Sequence, residues 1–274
     1  MNNLLEHLHP LLMSFGQSAE WFCICLVIFV PLAYLFAGKP SQPYLRRDML
    51  TDSAYWFFGP VFYAPIGLYI TIGLVTLFYS PAAINQLSQH GLAPLASFPL
   101  IVQAFLVLLG TDFLQYWMHR FFHRDPLWRF HIIHHSPVEV DWLSAARFHP
   151  INIILYSTLM NAIIFTFGFS PEAFALLAPF NLIYSPLVHA NLNWSYGPFR
   201  YLLASPVFHR WHHTSPEEGG MKNFAPTFPF LDLMFGTFYM PKGVQPVDFG
   251  AHHERVPTDF FGQIVYPFHK RVDK

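Results

Sequence analysis

Charge is what this chain is short of. Asp, Glu, Lys and Arg make up only 11% of its 274 residues, against about a quarter in an ordinary soluble domain. Net charge is −1, so no basic surface draws the chain to nucleic acid. Cysteine is equally sparse. Cys23 and Cys25 lie two apart in an apolar run, and on a helix that spacing turns them away from each other, which leaves no disulfide framework to read. The first twenty residues carry Glu6 and Glu20 but no basic residue, so the basic n-region of a cleavable signal peptide is missing. No internal repeat or low-complexity tract interrupts the chain. What is there instead is apolar: 53% hydrophobic and 19% aromatic residues, arranged in long blocks.

Five blocks read as membrane spans by length: Trp21–Ala37, Ala54–Tyr79, Leu92–Met118, Ile151–Phe169 and Glu172–Val188. Pro60 and Pro65 predict a kink or tilt in the second, and Ser170-Pro171 make the last two a tight helical hairpin. On this segmentation all fifteen Lys and Arg residues fall on one side. The positive-inside rule then places the N-terminus outside and the C-terminus in the cytoplasm. The predicted fold is a single all-α integral membrane bundle of about four to five membrane helices, under a cytoplasmic helical cap that holds a di-metal histidine site. Residues 1–118 supply the N-terminal spans, 119–150 a first cytoplasmic histidine region, 151–188 the hairpin and 189–274 the cap. Arg120 and Arg147, at this boundary, read as lipid-headgroup anchors.

Histidine is as abundant as acid, sixteen of each, and ten histidines fall between residues 119 and 213. His119-x₃-His123 is followed by His131-x₂-His134-His135, and His209-x₂-His212-His213 repeats the second spacing. His149 and His189 lie between them. Positions i, i+3 and i+4 share a helix face, so each box aims two or three imidazoles at one place. Imidazole suits iron, zinc, copper and nickel. A single ion takes about four ligands, so this many converging histidines point to two ions. Boxes one and two follow span three and box three follows span five, which puts all of them at the cytoplasmic membrane face. His7, His9, His90, His252, His253 and His269 lack such spacing and read as ordinary. Asp112 lies in an apolar run seven residues before His119. An acid inside a span is a functional candidate by default, and its expected role is to accept the second N–H of a ligating histidine. Asp232 is a second candidate for the same task.

These boxes resemble those of the fatty acid hydroxylase superfamily, also called the sterol desaturase family. The likeness runs from Asp112 to Pro241 and includes Asp112-x₃-Tyr116-x₂-His119, Leu127-Trp128-x-Phe130-His131, Arg147-x-His149-Pro150, Asn223-Phe224 and Asp232-x₃-Gly236-Thr237. Some relatives have a further H-x₃-H where this chain reads His189-x₃-Asn193, which makes Asn193 a weak or water-mediated ligand on that comparison. Leu231 stands where many have Trp, and Ala225 where many have Gly. The resemblance implies two Fe ions, with Zn as a possible substitute on overexpression, at a cytosol-facing centre over a transmembrane stem. It implies O₂ as co-substrate and a membrane lipid (sterol, fatty acyl chain, carotenoid or ether lipid) that is hydroxylated or desaturated. A separate electron donor of reductase, ferredoxin or cytochrome type is needed, since no flavin or haem domain fits in the chain.

Other chemistries fit less well. A carboxylate-bridged di-iron site places Glu-x-x-His pairs on bundle helices, and the histidine-rich stretch has none. A zinc protease of the His-Glu-x-x-His type lacks its motif. A membrane metal transporter or sensor would line a path across the bilayer with polar groups, whereas these boxes share one face. The topology has a direct test. Cysteine placed at Gln86 should label from outside the cell and cysteine at Glu217 only from inside; labelling of both from one side would break the span assignment.

Overall fold

The computed structural model describes residues 2–92, 94–252 and 254–269. Among these residues the regular structure is helical, apart from one isolated antiparallel bridge between Ala37 and Leu192. The helices are α1 (Asn2–Leu35), α2 (Met49–Val75), α3 (Pro81–His90), α4 (Leu100–Phe122), α5 (Trp128–His135), α6 (Pro150–Phe167), α7 (Pro171–His189), α8 (Pro206–His212), α9 (Phe230–Met234) and α10 (Phe260–Val265).

Among the described residues, three helices meet the length and apolarity needed to cross a bilayer: His9–Leu35 within α1, then α2 and α4. The last two expected spans are present as the hairpin α6 and α7. Helix α6 runs for 18 residues without a charged side chain, and α7 runs for 19 but carries Glu172, Asn181, Pro179 and Pro186. Helix α1 also begins well before Trp21, because Leu4, Leu5, Leu8, Leu11 and Leu12 are good helix formers and Pro10 does not stop it.

The expected kink in the second span takes a specific form. Pro60 and Pro65 have no N–H to give the carbonyls one turn back, and their rings crowd those carbonyls. The chain widens there into a π-helical turn, Gly59–Tyr63, in which the Ala64 N–H reaches the Gly59 carbonyl. Beyond the turn α2 lies tightly on α6. A Cβ at Gly67 would stand 1.8 Å from Ser157 Oγ and 2.9 Å from the Ile154 carbonyl, so only glycine permits this approach. Thr71 Oγ1 lies 2.8 Å from the Gly67 carbonyl and 3.2 Å from that of Thr158. Small residues at a close helix contact replace the hydrophobic drive that lipid does not supply. On the other flank, Phe22 and Phe29 of α1 pack against Trp142, which Phe22 and Trp56 meet edge-on.

An ion cluster ties the loops to this frame. Arg147 is fully buried rather than at the lipid headgroups. Its guanidinium meets Asp52 through Nε and Asp48 at 3.2 Å through Nη1. Arg46 contacts the same Asp52 and grips Asp141 bidentately at 2.6 and 2.7 Å. A guanidinium so placed would cost several kcal/mol if unpaired, which is why it sits among carboxylates instead of reaching for lipid. Replacing Asp52 with alanine removes the carboxylate that two buried cations share, leaving Arg46 with Asp141 and Arg147 with Asp48, and should cost about 3 kcal/mol. A matching fall in the thermal unfolding midpoint of the purified protein is the expected result, and an unchanged midpoint would refute the cluster's structural role.

Candidate metal centre

The pole of the bundle is made of helix ends. The last turn of α4 brings in His119, with His123 as the helix's cap, α5 gives His131, His134 and His135, and α7 ends on His189. Helix α8 supplies His209 and His212, with His213 as its cap. The imidazoles divide into two buried groups: His119, His123, His131, His135 and His212, then His134, His189, His209 and His213. Within each group the nitrogens that could bind an ion lie within 4.8 Å of one another. Each H-x₂-H-H box is thereby split. The i and i+4 members, His131 with His135 and His209 with His213, share a face and a group. The intervening His134 and His212 turn across to the opposite groups.

Tautomers follow from the acceptors. Carbonyls accept only, so each ring nitrogen facing one carries a proton. His119 Nδ1 donates to the Phe224 carbonyl at 2.9 Å and His134 Nδ1 to that of Arg147 at 3.1 Å. His189 Nδ1 donates to Ser185 at 2.7 Å and His212 Nδ1 to Lys222 at 2.7 Å. Their Nε2 atoms are therefore bare lone pairs when the rings are neutral. Burial holds His123, His131, His134, His135, His209, His212 and His213 well below the ordinary imidazole value, and neighbouring imidazoles add to the effect for each.

Nε2 atoms then face one another, those of His134, His189 and His212 bare. His134 Nε2 lies 3.3 Å from His189 Nε2, and His189 Nε2 lies 3.0 Å from His209 Nε2. His123 Nε2 lies 3.2 Å from His212 Nε2, and His213 Nε2 3.2 Å from His209 Nε2. The contact between His134 and His189 cannot be a hydrogen bond, because both protons are committed elsewhere. A cation accounts for the spacing: two nitrogens each about 2.1 Å from one ion and at right angles are about 3.0 Å apart. Nε2 of His119, His131 and His135 is likewise buried with no protein partner. The donor set fits a metal in both groups.

The expected second-layer acids act one step further out. Asp112 accepts from the backbone N–H of Thr227 at 2.8 Å and of Phe228 at 2.9 Å. Asp232 accepts from Phe224 N–H at 2.8 Å, Ala225 N–H at 2.9 Å and Thr237 Oγ1 at 2.6 Å. Neither touches a histidine, because the buried loop 224–228 has orphan N–H groups that need acceptors first. Asp232 still reaches the site through one peptide: it holds the Phe224 N–H while the Phe224 carbonyl holds His119. Burial raises the Asp232 carboxyl to about 6, with the three hydrogen bonds pulling the other way.

Two expected ligands lie elsewhere. His149 Nε2 faces the Ile264 carbonyl at 3.0 Å and its Nδ1 accepts from Ile151 N–H at 3.2 Å, so neither nitrogen is available. Asn193 is exposed, and its N–H pairs with the Phe36 carbonyl. His253 falls outside the described residues. Three contributors carried no spacing signal to find them by: the Asn152 amide 3.2 Å from His131 Nδ1, the Arg147 carbonyl, and Ser185.

Below the groups, among the membrane helices, a cavity of about 410 Å³ is walled by His119, His131, His134, His189 and His209. Its other lining includes Gln115, Tyr156, Met160 and Tyr184. A second, mostly apolar cavity of about 460 Å³ shares Ile153, Asn181 and Ser185 with it and runs past Trp21, Trp56 and the π-turn residues Gly59 and Pro60.

The architecture is that of a helical membrane protein with a histidine site fitted to hold metal. Residues 104–237 match the family described as fatty acid hydroxylase, and this segment is a domain of that superfamily. It is 28% identical to the ornithine lipid hydroxylase OlsE of Rhizobium tropici over 76% of this chain and 64% of that protein. It is 32% identical to human alkylglycerol monooxygenase, over 59% of this chain and 35% of the relative. A Delta(7)-sterol 5(6)-desaturase of Gibberella zeae is 29% identical over 50% of this chain and 38% of its own length. The chain thus spans less than two thirds of each of these relatives. No solved structure matches it significantly.

The path from Asp232 to His119 can be tested by metal titration. Asp232→Asn keeps the size but loses an acceptor, and such changes typically weaken metal binding about 10–100-fold. The weakening should appear in the group that contains His119 and leave the four-histidine group unchanged. Equal affinities in variant and wild type would sink the assignment.

Proposed function

We propose that this protein is an O₂-dependent oxidoreductase that hydroxylates or desaturates a C–H bond of a membrane lipid, using two iron ions. His119, His123, His131, His135 and His212 hold one ion, and His134, His189, His209 and His213 hold the other. The observation that carries the reading is that both sets of bare nitrogens wall the end of a cavity set among the membrane helices. The relatives named above act, by their names, on ornithine lipids, alkylglycerols and sterols, which supports a lipid occupant of that cavity.

An unactivated C–H bond has no acidic proton and no leaving group, so acid–base and nucleophilic catalysis have no starting point. Bound iron supplies the redox chemistry with O₂. Hydroxylation balances as C–H, O₂, two electrons and two protons giving C–OH and water. The electrons come from a separate donor protein of reductase, ferredoxin or cytochrome type, which meets the site from the cytoplasm. The chain's own residues do three things. Backbone carbonyls fix the imidazole tautomers, the acids Asp112 and Asp232 fix the loop that carries one of those carbonyls, and the apolar walls seat an alkyl body while excluding water.

A transporter or sensor is the other reading of nine buried histidines. It is disfavoured because the ligands converge at one pole instead of lining a route along the helices. Removing one ligand from each group separates the readings. His134→Ala and His212→Ala should each abolish lipid oxidation while the folded protein persists in the membrane, and wild-type protein should carry about two ions per chain, mostly iron. Full O₂-dependent turnover by both variants would overturn the enzyme assignment.

A further inference from the structure

The histidine groups are also approached from outside the membrane helices. A pocket of about 230 Å³ has His123 and His135 in its wall, together with Trp128, Ile132, Thr214 and Ala251. It shares no lining residue with the lipid-side cavity, and none of its lining residues belongs to α1, α2 or α4. Its rim residues Asp125, Pro216, Met221 and His252 are exposed. The imidazole shell is thus a partition: five histidines face the membrane-side cavity, and two others, both from the five-histidine group, face this pocket.

We infer that this pocket is an aqueous port through which hydrated divalent cations enter and leave the two-ion site. The inference rests on the metal reading above. The lipid-side cavity is set among membrane helices, so a dication reaching the histidines that way would shed its water in crossing the lipid, at large cost. Here the space is of the right size and character. At about 30 Å³ per water, 230 Å³ has room for about seven waters, enough for an ion with a six-water shell. The acidic side chains Asp125 and Glu254 both line it. Glu254 is held in place by Trp128 Nε1 at 3.0 Å and Tyr266 OH at 2.8 Å, and the Trp128 ring lies 5.1 Å from His123 and 5.4 Å from His135.

A second observation points to water at the same place. His123 presents Nε2 to its group, so its proton sits on Nδ1, and that atom is buried with no protein acceptor. Ligating histidines normally give their second N–H to an acceptor. Water in the pocket that His123 lines supplies one.

The test uses iron-loaded, full-length protein in lipid nanodiscs and follows release of iron to the hydrophilic ferrous chelator ferrozine. Ala251→Trp and Met221→Trp fill the pocket and its rim. Each should hold as much iron as wild type and release it about tenfold more slowly. Ile153→Trp, at the neck between the two lipid-side cavities, should release iron at the wild-type rate. Wild-type rates in both port variants, or equal slowing by Ile153→Trp, would overturn the port. If Ala251→Trp does not fold, Met221→Trp at the exposed rim decides alone. Wild-type protein that binds no iron would instead overturn the two-ion reading.

Discussion

An imidazole has two nitrogens, and a buried one cannot leave either to chance. To offer one lone pair inward, a histidine must place its proton outward on an acceptor. Nine rings in one buried volume multiply that demand, and much of the surrounding structure exists to meet it. The acceptors are mostly peptide carbonyls, at Phe224, Arg147, Ser185 and Lys222. Each is fixed in turn. Asp232 grips the Phe224 peptide from its other side, and the Arg147 side chain is locked among Asp48 and Asp52. Asn223, beside Lys222, takes a left-handed backbone at φ 58° and crosslinks Phe208 to Tyr239 through its amide. Asparagine is among the few residues at ease there.

This arrangement joins the membrane stem to the site. Asp52 sits in the first turn of α2, and Arg147 precedes α6. The ion cluster between them fixes the carbonyl that orients His134. On the other side Asp112, inside α4, holds the loop that follows the His119 acceptor. Distortion of either helix would therefore reach the imidazoles through a short path of hydrogen bonds. The two lipid-side cavities lie among these helices, and the second has the π-turn of α2 in its wall.

Much of this was legible in the residues. The H-x₃-H and H-x₂-H-H spacings located eight of the nine rings, all but His189, because helical periodicity turns spacing directly into a shared face. Spacing could not reveal that His134 and His212 cross between groups, since that depends on how α5 and α8 face each other. His149 shows the limit of a motif: it stands within the family-like segment, but its nitrogens are taken by the peptides of Ile151 and Ile264. Arg147 was misplaced for a related reason. A basic residue at a membrane boundary suggests lipid headgroups, and only the fold brings Asp48 and Asp52, about a hundred residues earlier, to meet it. The acids Asp112 and Asp232 stand out as candidates in the residues, but apart from the Thr237 hydroxyl their partners are backbone groups that leave no trace in residue identity.

A backbone carbonyl cannot be mutated away. The bonds that set the tautomers of His119, His189 and His212 survive any side-chain change at Phe224, Ser185 or Lys222 that leaves the peptide in place. Selection on the histidine geometry consequently bears less on those three side chains than on the residues that pin their peptides. Drift can alter the lining of the cavity at Ser185, which faces the lipid side, without disturbing the histidine it orients. Cavity lining and histidine geometry are thus written at separable positions, and a lineage can change the first while inheriting the second intact.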